Sequence, residues 1–143
     1  MRTRLHPVAL LVLMAVVAAA CGGSEPAPPP AAPAPLAVAS VDLGSAIDAN
    51  KRVVEARTTF APTDTIYASV ATTGAASSAT LVARWTFQDG QVVTETTQTI
   101  APTGPAAIEF HISKETPWPA GRYRVEILLN GTSAMAKDFT IGG

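Results

Sequence analysis

From Ala37 onward, apolar and polar residues alternate with a period of two over short stretches, and Gly, Pro, Asp and Asn punctuate them. A strand shows successive side chains to opposite faces, so this pattern predicts β-structure with one face buried. Thr65–Thr72 puts Ile66, Ala68 and Val70 on one face. Ala79–Phe87 does the same with Leu81, Ala83, Trp85 and Phe87, and sends Arg84 and Thr86 to the other side. Ala106–Ile112 points Ile108, Phe110 and Ile112 inward and Glu109 and His111 outward. Arg122–Leu129 aligns Tyr123, Val125, Ile127 and Leu129.

Other stretches carry weaker patterns. Val38–Leu43 reads as a first, edge strand, and Asp48–Lys51 as a turn. Val53–Phe60 fits either a strand or one helical turn, with Arg52, Glu55 and Arg57 keeping it at least half exposed. Threonine-rich Gln91–Ile100 forms one strand or two short ones; threonine is β-branched and suits a half-exposed pleated surface. Thr132–Ile141 is the last strand, but Lys137 shares the face of Met135, Phe139 and Ile141. Either a β-bulge corrects that parity or Lys137 lies at an edge. Asp89-Gly90 and Asn130-Gly131 are hairpin signals, because these residue types accept positive φ.

The sum is an all-β domain of about seven or eight strands over residues 37–143, within the range in which burial alone can hold a fold without disulfides. Two local patterns resemble immunoglobulin-like domains. Trp85 sits in the middle of an early central strand, and Trp118-Pro119-Ala120-Gly121-Arg122-Tyr123-Arg124-Val125 is similar to the P-x-G-x-Y-x-V approach to the penultimate strand of fibronectin type III modules. The resemblance implies an immunoglobulin-like antiparallel β-sandwich. The cysteine pair of antibody domains is absent. Such a fold says little about function.

The first 36 residues have a different character. Arg2 and Arg4 precede an apolar run, Val8–Ala20, and Ala18-Ala19-Ala20 leads into Cys21-Gly22. A basic start, a short apolar stretch and a small-residue cleavage site make a secretory signal peptide over residues 1–20. The run is about 13 residues long, whereas a membrane-spanning helix needs about 20. With Cys21 at the cleavage point, the segment resembles the lipobox of bacterial lipoproteins, although Ala18 stands where that motif usually has Leu. The resemblance implies lipidation of Cys21 and a membrane-anchored protein of the bacterial cell envelope. Gly22 rather than Asp after the cysteine implies the outer membrane where the host has one, facing the periplasm or the cell surface. Cys21 is the only cysteine, and lipidation would remove an otherwise unpaired thiol. Residues 21–36 then form the lipidated cysteine and a Pro/Ala-rich linker; extended at about 3.1 Å per residue, Ser24–Leu36 would span about 40 Å.

Charge and chemistry narrow the function classes. Removing Arg2 and Arg4 takes the net charge from −1 to −3. No basic stripe exists for a phosphate backbone, so nucleic acid is excluded as an expected partner. His111 is the one histidine after the signal, too few for a zinc site, and the carboxylates lack calcium-loop spacing. No G-x-S-x-G elbow is present. Asn130-Gly131-Thr132 matches a glycosylation sequon, but the hairpin turn accounts for it.

These observations predict a non-catalytic, cofactor-free module that recognises an envelope protein or a polysaccharide. The alternative is a small hydrolase or accessory subunit of an envelope enzyme that uses outward carboxylates. The candidate binding loop is Pro117, Trp118 and Pro119, where two prolines stiffen the chain around an aromatic ring. Trp118 serves either as a cap on the end of the sandwich against Tyr123 or as an exposed binding anchor.

Overall fold

The computed structural model describes residues 22–23, 26–28 and 32–142. The chain divides into Met1–Ala31 and Ala32–Gly143, and the second unit carries the strands described here. The signal segment and Cys21 lie outside the described residues.

The described residues form eight strands: β1 (Ala37–Gly44), β2 (Thr59–Phe60), β3 (Ile66–Thr73), β4 (Ala79–Phe87), β5 (Gln91–Ile100), β6 (Ala106–Ile112), β7 (Gly121–Leu129) and β8 (Thr132–Ile141). They build two sheets, β1-β3-β6 and β2-β8-β7-β4-β5. Every pairing is antiparallel except β2 with β8, where Thr59 and Phe60 lie parallel to Thr140 and Ile141. This is an immunoglobulin-like β-sandwich.

The inner faces carry the residues that the alternation marked. Val41, Leu43, Ile66, Ala68, Val70, Ile108, Phe110 and Ile112 of the small sheet meet Leu81, Ala83, Trp85, Tyr123, Val125, Ile127, Phe139 and Ile141 of the large one in a single core. Trp85 is fully buried at its centre and meets Phe139 edge-on, with ring centroids 5.9 Å apart. Its indole N–H has no hydrogen-bond partner among the described residues.

Both hairpin signals form turns. Asn130 and Gly131 take φ of 50° and 83°, the pair of positive values that a twisted two-residue connection requires. At the other hairpin, Gln88 and Gly90 take the positive φ rather than Asp89. Asp48–Lys51 is a turn closed by its own side chain: Asp48 Oδ1 accepts from the backbone N–H of Asn50 at 2.8 Å and of Arg52 at 3.0 Å.

Three stretches left open by the alternation take definite forms. Val53–Phe60 is neither one strand nor a helical turn; only Thr59–Phe60 pairs, and Val53 makes an isolated bridge to Ile47. β5 is one continuous strand. A bulge does occur in β8, at Ala134, because Ile127 faces Met135 while Leu128 faces Ser133. That bulge precedes Met135, so it does not re-phase Lys137, which still pairs with buried Val125. The ammonium instead reaches past the sheet margin to Asp42 of β1, with Nζ 3.9 Å from Oδ1.

Candidate functional site

Strand direction gives the sandwich two distinct ends. The chain joins at one of them: Pro35 bridges Ala75 in parallel, and Ala75 N–H donates to the Ala34 carbonyl at 3.0 Å. Gly74 permits this contact. It takes φ of +83°, and a Cβ there would lie 2.2 Å from the Pro35 carbonyl oxygen. The Pro102 loop and the Asn130 turn belong to the same end, tied by Ala76 N–H to Pro102 O and Thr80 N–H to Asn130 Oδ1, each at 3.0 Å. Each long strand carries the chain about 30 Å to the other end. There lie the 61–65 turn, the 88–90 turn and the 113–120 loop.

At this far end Trp118 is 8% exposed. Its backbone N–H donates to Pro62 O at 2.8 Å, and its indole N–H donates to Asp64 O at 3.2 Å. The 61–65 turn is itself closed by Asp64 Oδ2, which accepts from Ala61 N–H at 2.9 Å. The ring stands edge-on to Tyr123 with centroids 6.4 Å apart, and Lys114 Nζ lies 5.7 Å from the ring centre. Of the two arrangements open to Trp118, this geometry is the cap. Pro117 and Pro119 flank it on the exposed side, so the loop offers solvent two proline rings rather than the indole.

The loop is tied to β7 as well. Tyr123 Oη donates to Pro119 O at 2.7 Å, which makes a tyrosine corner of the immunoglobulin-like kind. Burial pushes the phenol's pKa above 10.0, so it remains a donor at neutral pH. Gly121 gives this corner its shape: φ is +150°, and a Cβ would meet Gln88 Nε2 at 2.5 Å and Phe87 Cε2 at 2.8 Å. The glycine of the motif follows from that crowding, and the tyrosine from its bond to Pro119 O.

Two open grooves flank this end. One, about 570 Å³, lies over the outer face of the large sheet, with Thr86, Gln88, Arg122, Arg124, Asp138 and Thr140 in its lining. Arg124 grips Asp138 through Nε and Nη2 at 2.6 and 3.1 Å. That hydrogen bond holds the Asp138 carboxyl below its ordinary value of 3.8 and raises the guanidinium in turn. The second groove, about 520 Å³, runs between β5 and β6, where Thr94, Thr96, His111, Ser113 and Lys114 line it above Trp118. Sequence reasoning singled out Trp118 but missed both grooves. They depend on which strands become neighbours, and alternation alone does not give neighbours.

The outward carboxylates of β5, β6 and β7 each contact a basic side chain. Glu95 and Glu126 approach one guanidinium, with Arg84 Nε 2.8 Å from Glu95 and Nη1 3.7 Å from Glu126. Glu109 contacts His111 Nδ1, and the ring leans on Tyr67 with centroids 5.4 Å apart. His111 is 53% exposed on its sheet face, and no serine hydroxyl bonds to its ring among the described residues. No group of three or more His, Cys, Asp or Glu among the described residues could hold a metal ion.

No protein-family model matches the chain, and no curated protein is significantly similar to it. Solved structures share its fold. The immunoglobulin-like protein PA1606 of Pseudomonas aeruginosa matches with a TM-score of 0.50 and 11% identity, over 76% of this chain and 98% of its own. A DNA-bound alkylpurine DNA glycosylase, AlkC of Pseudomonas fluorescens, matches with a TM-score of 0.52 and 11% identity over 76% of this chain. This chain spans only 30% of that glycosylase. At such identity the likeness is one of fold.

Proposed function

We propose that this protein is a non-catalytic binding module of the bacterial cell envelope, anchored through a lipid on Cys21. Its Pro/Ala-rich segment would act as the tether. The end of the sandwich opposite Ala34–Pro35 would meet a protein or polysaccharide partner. One observation carries the reading: the stapled 113–120 loop and the lining of both grooves gather at the end away from where the chain joins. A tether of about 40 Å leaves that end free to meet a partner. Two prolines, the tyrosine corner and the bonds to Pro62 and Asp64 hold the loop in one shape, so recognition would cost little ordering entropy.

Position relative to the membrane follows from the Cys21-Gly22 pair, and the outer membrane, facing the periplasm or the surface, is the proposed address. The test of the anchor is metabolic labelling with a fatty acid, with fractionation of wild type and Cys21→Ser. The proposal expects label on wild type alone and release of the variant from membranes. An unlabelled wild type, with Cys21→Ser still in the membrane fraction, overturns it.

A further inference from the structure

The two sheets present four edge strands, β1, β6, β2 and β5. An uncovered edge is a row of unpaired backbone donors and acceptors, and proteins usually shorten, bulge, charge or cover it. Three edges here follow that rule. β2 is two residues long. β1 carries a bulge between Val38 and Ser40, and the Lys137–Asp42 contact crosses it. β6 is met from the side by Gln98, whose Nε2 donates to Glu109 O at 2.7 Å.

β5 follows it least, with its bulge confined to its start. Its sequence, Q-V-V-T-E-T-T-Q-T-I, has no Pro, Gly or Lys. Its one charge, Glu95, is neutralised from within the sheet by Arg84. Val92 is 57% exposed. The strand has one bulge, at Val93 near its start, and Thr94–Ile100 continues in regular pairing with β4.

We propose that β5 is a homotypic docking edge, which pairs antiparallel with β5 of a second copy about a two-fold axis at Thr97. The regular stretch Thr94–Ile100 has Thr97 as its midpoint, so this register uses all of it. Thr97 then faces Thr97 of the second copy, and Glu95 faces Thr99. Threonine pairs across antiparallel strands are favourable. The two Glu95 side chains stand four positions apart, about 13 Å, beyond the roughly 8 Å screening length of physiological salt. A two-fold at Glu95 would instead set two carboxylates face to face. The pairing is closed, because the two-fold axis uses the same edge of both copies. It joins two five-stranded sheets into one of ten strands. The chain-joining ends then point in opposite directions. A linker of about 40 Å exceeds the strand length of about 30 Å, so both copies can reach one surface. The 113–120 loop of each copy stays free.

The test is sedimentation equilibrium of the full chain across a concentration series, with hydrogen exchange at its two extremes. The proposal expects a monomer–dimer equilibrium in which β5 amides gain protection as concentration rises. Thr97 faces solvent opposite Val82, so Thr97→Lys should fold normally yet oppose two ammonium groups in the dimer. It should weaken association about tenfold or more, equivalent to about 1.4 kcal/mol. Thr97→Val, which keeps a β-branched side chain, should associate at least as well as wild type. A chain that stays monomeric throughout overturns the proposal. So does a dimer whose β5 amides exchange unchanged, or one that Thr97→Lys leaves intact.

Discussion

Trp118→Ala asks how the far end of the sandwich is held. The change removes a side chain that is 92% covered, an indole hydrogen bond to Asp64 O, and the edge-on contact with Tyr123. Loss of a buried tryptophan to alanine costs about 3–5 kcal/mol. Trp118 sits at the end of the core, where neighbours can relax into the space, so the lower figure of about 3 kcal/mol applies. The domain is of a size at which each kcal/mol moves the melting temperature by about 4–8 °C, so the transition should fall by about 12 °C or more. Urea denaturation of wild type and variant, followed by circular dichroism, gives the free energy directly. Trp118→Phe is the companion. It keeps most of the apolar surface and loses the N–H donor, so it should cost about 1 kcal/mol. If Trp118→Ala costs less than about 1 kcal/mol, the ring is not a cap, and the indole would be available to act as an anchor after all.

Three further outcomes follow from the same geometry. Tyr123→Phe removes the bond to Pro119 O and should cost about 1 kcal/mol in the same denaturation assay, while Gly121→Ala forces a Cβ into Gln88 and Phe87 at positive φ and should cost about 1–3 kcal/mol. Asp138 titrates below its ordinary value because Arg124 binds its charged form. Its contribution is therefore present above pH 3.8 and lost as pH falls through the depressed folded value, so Asp138→Asn should flatten the acid limb of a melting-temperature profile against pH. The pair is exposed, so the effect near neutrality should be small.

Much of this architecture is legible in the residues. Alternation marks β3, β4, β6 and β7 because each has one face on the core and one toward solvent, and the hairpins announce themselves through Asp-Gly and Asn-Gly. β2 is not legible: two residues carry no period, and Thr59–Phe60 pairs because β8 ends beside it. Lys137 misleads for a related reason. Its parity is that of a core residue, but it lies where its long stem can carry the charge around the margin to Asp42. The cap on Trp118 rests on Pro62 and Asp64, more than 50 residues earlier, and only the closed sandwich brings those carbonyls to the indole. The P-x-G-x-Y spacing, by contrast, carries its own explanation: a crowded glycine and a phenol that reaches back four residues are local features.

Under the proposed function, the end away from Ala34–Pro35 is the recognition surface. Site-specific photo-crosslinking in intact cells tests it most directly, with the photoreactive residue at Pro117 or, for comparison, at Thr103, which is exposed at the chain-joining end. The expected result is a discrete envelope adduct from Pro117 that is absent from Thr103. Adducts from Thr103 with none from Pro117 would place recognition at the wrong end and contradict it.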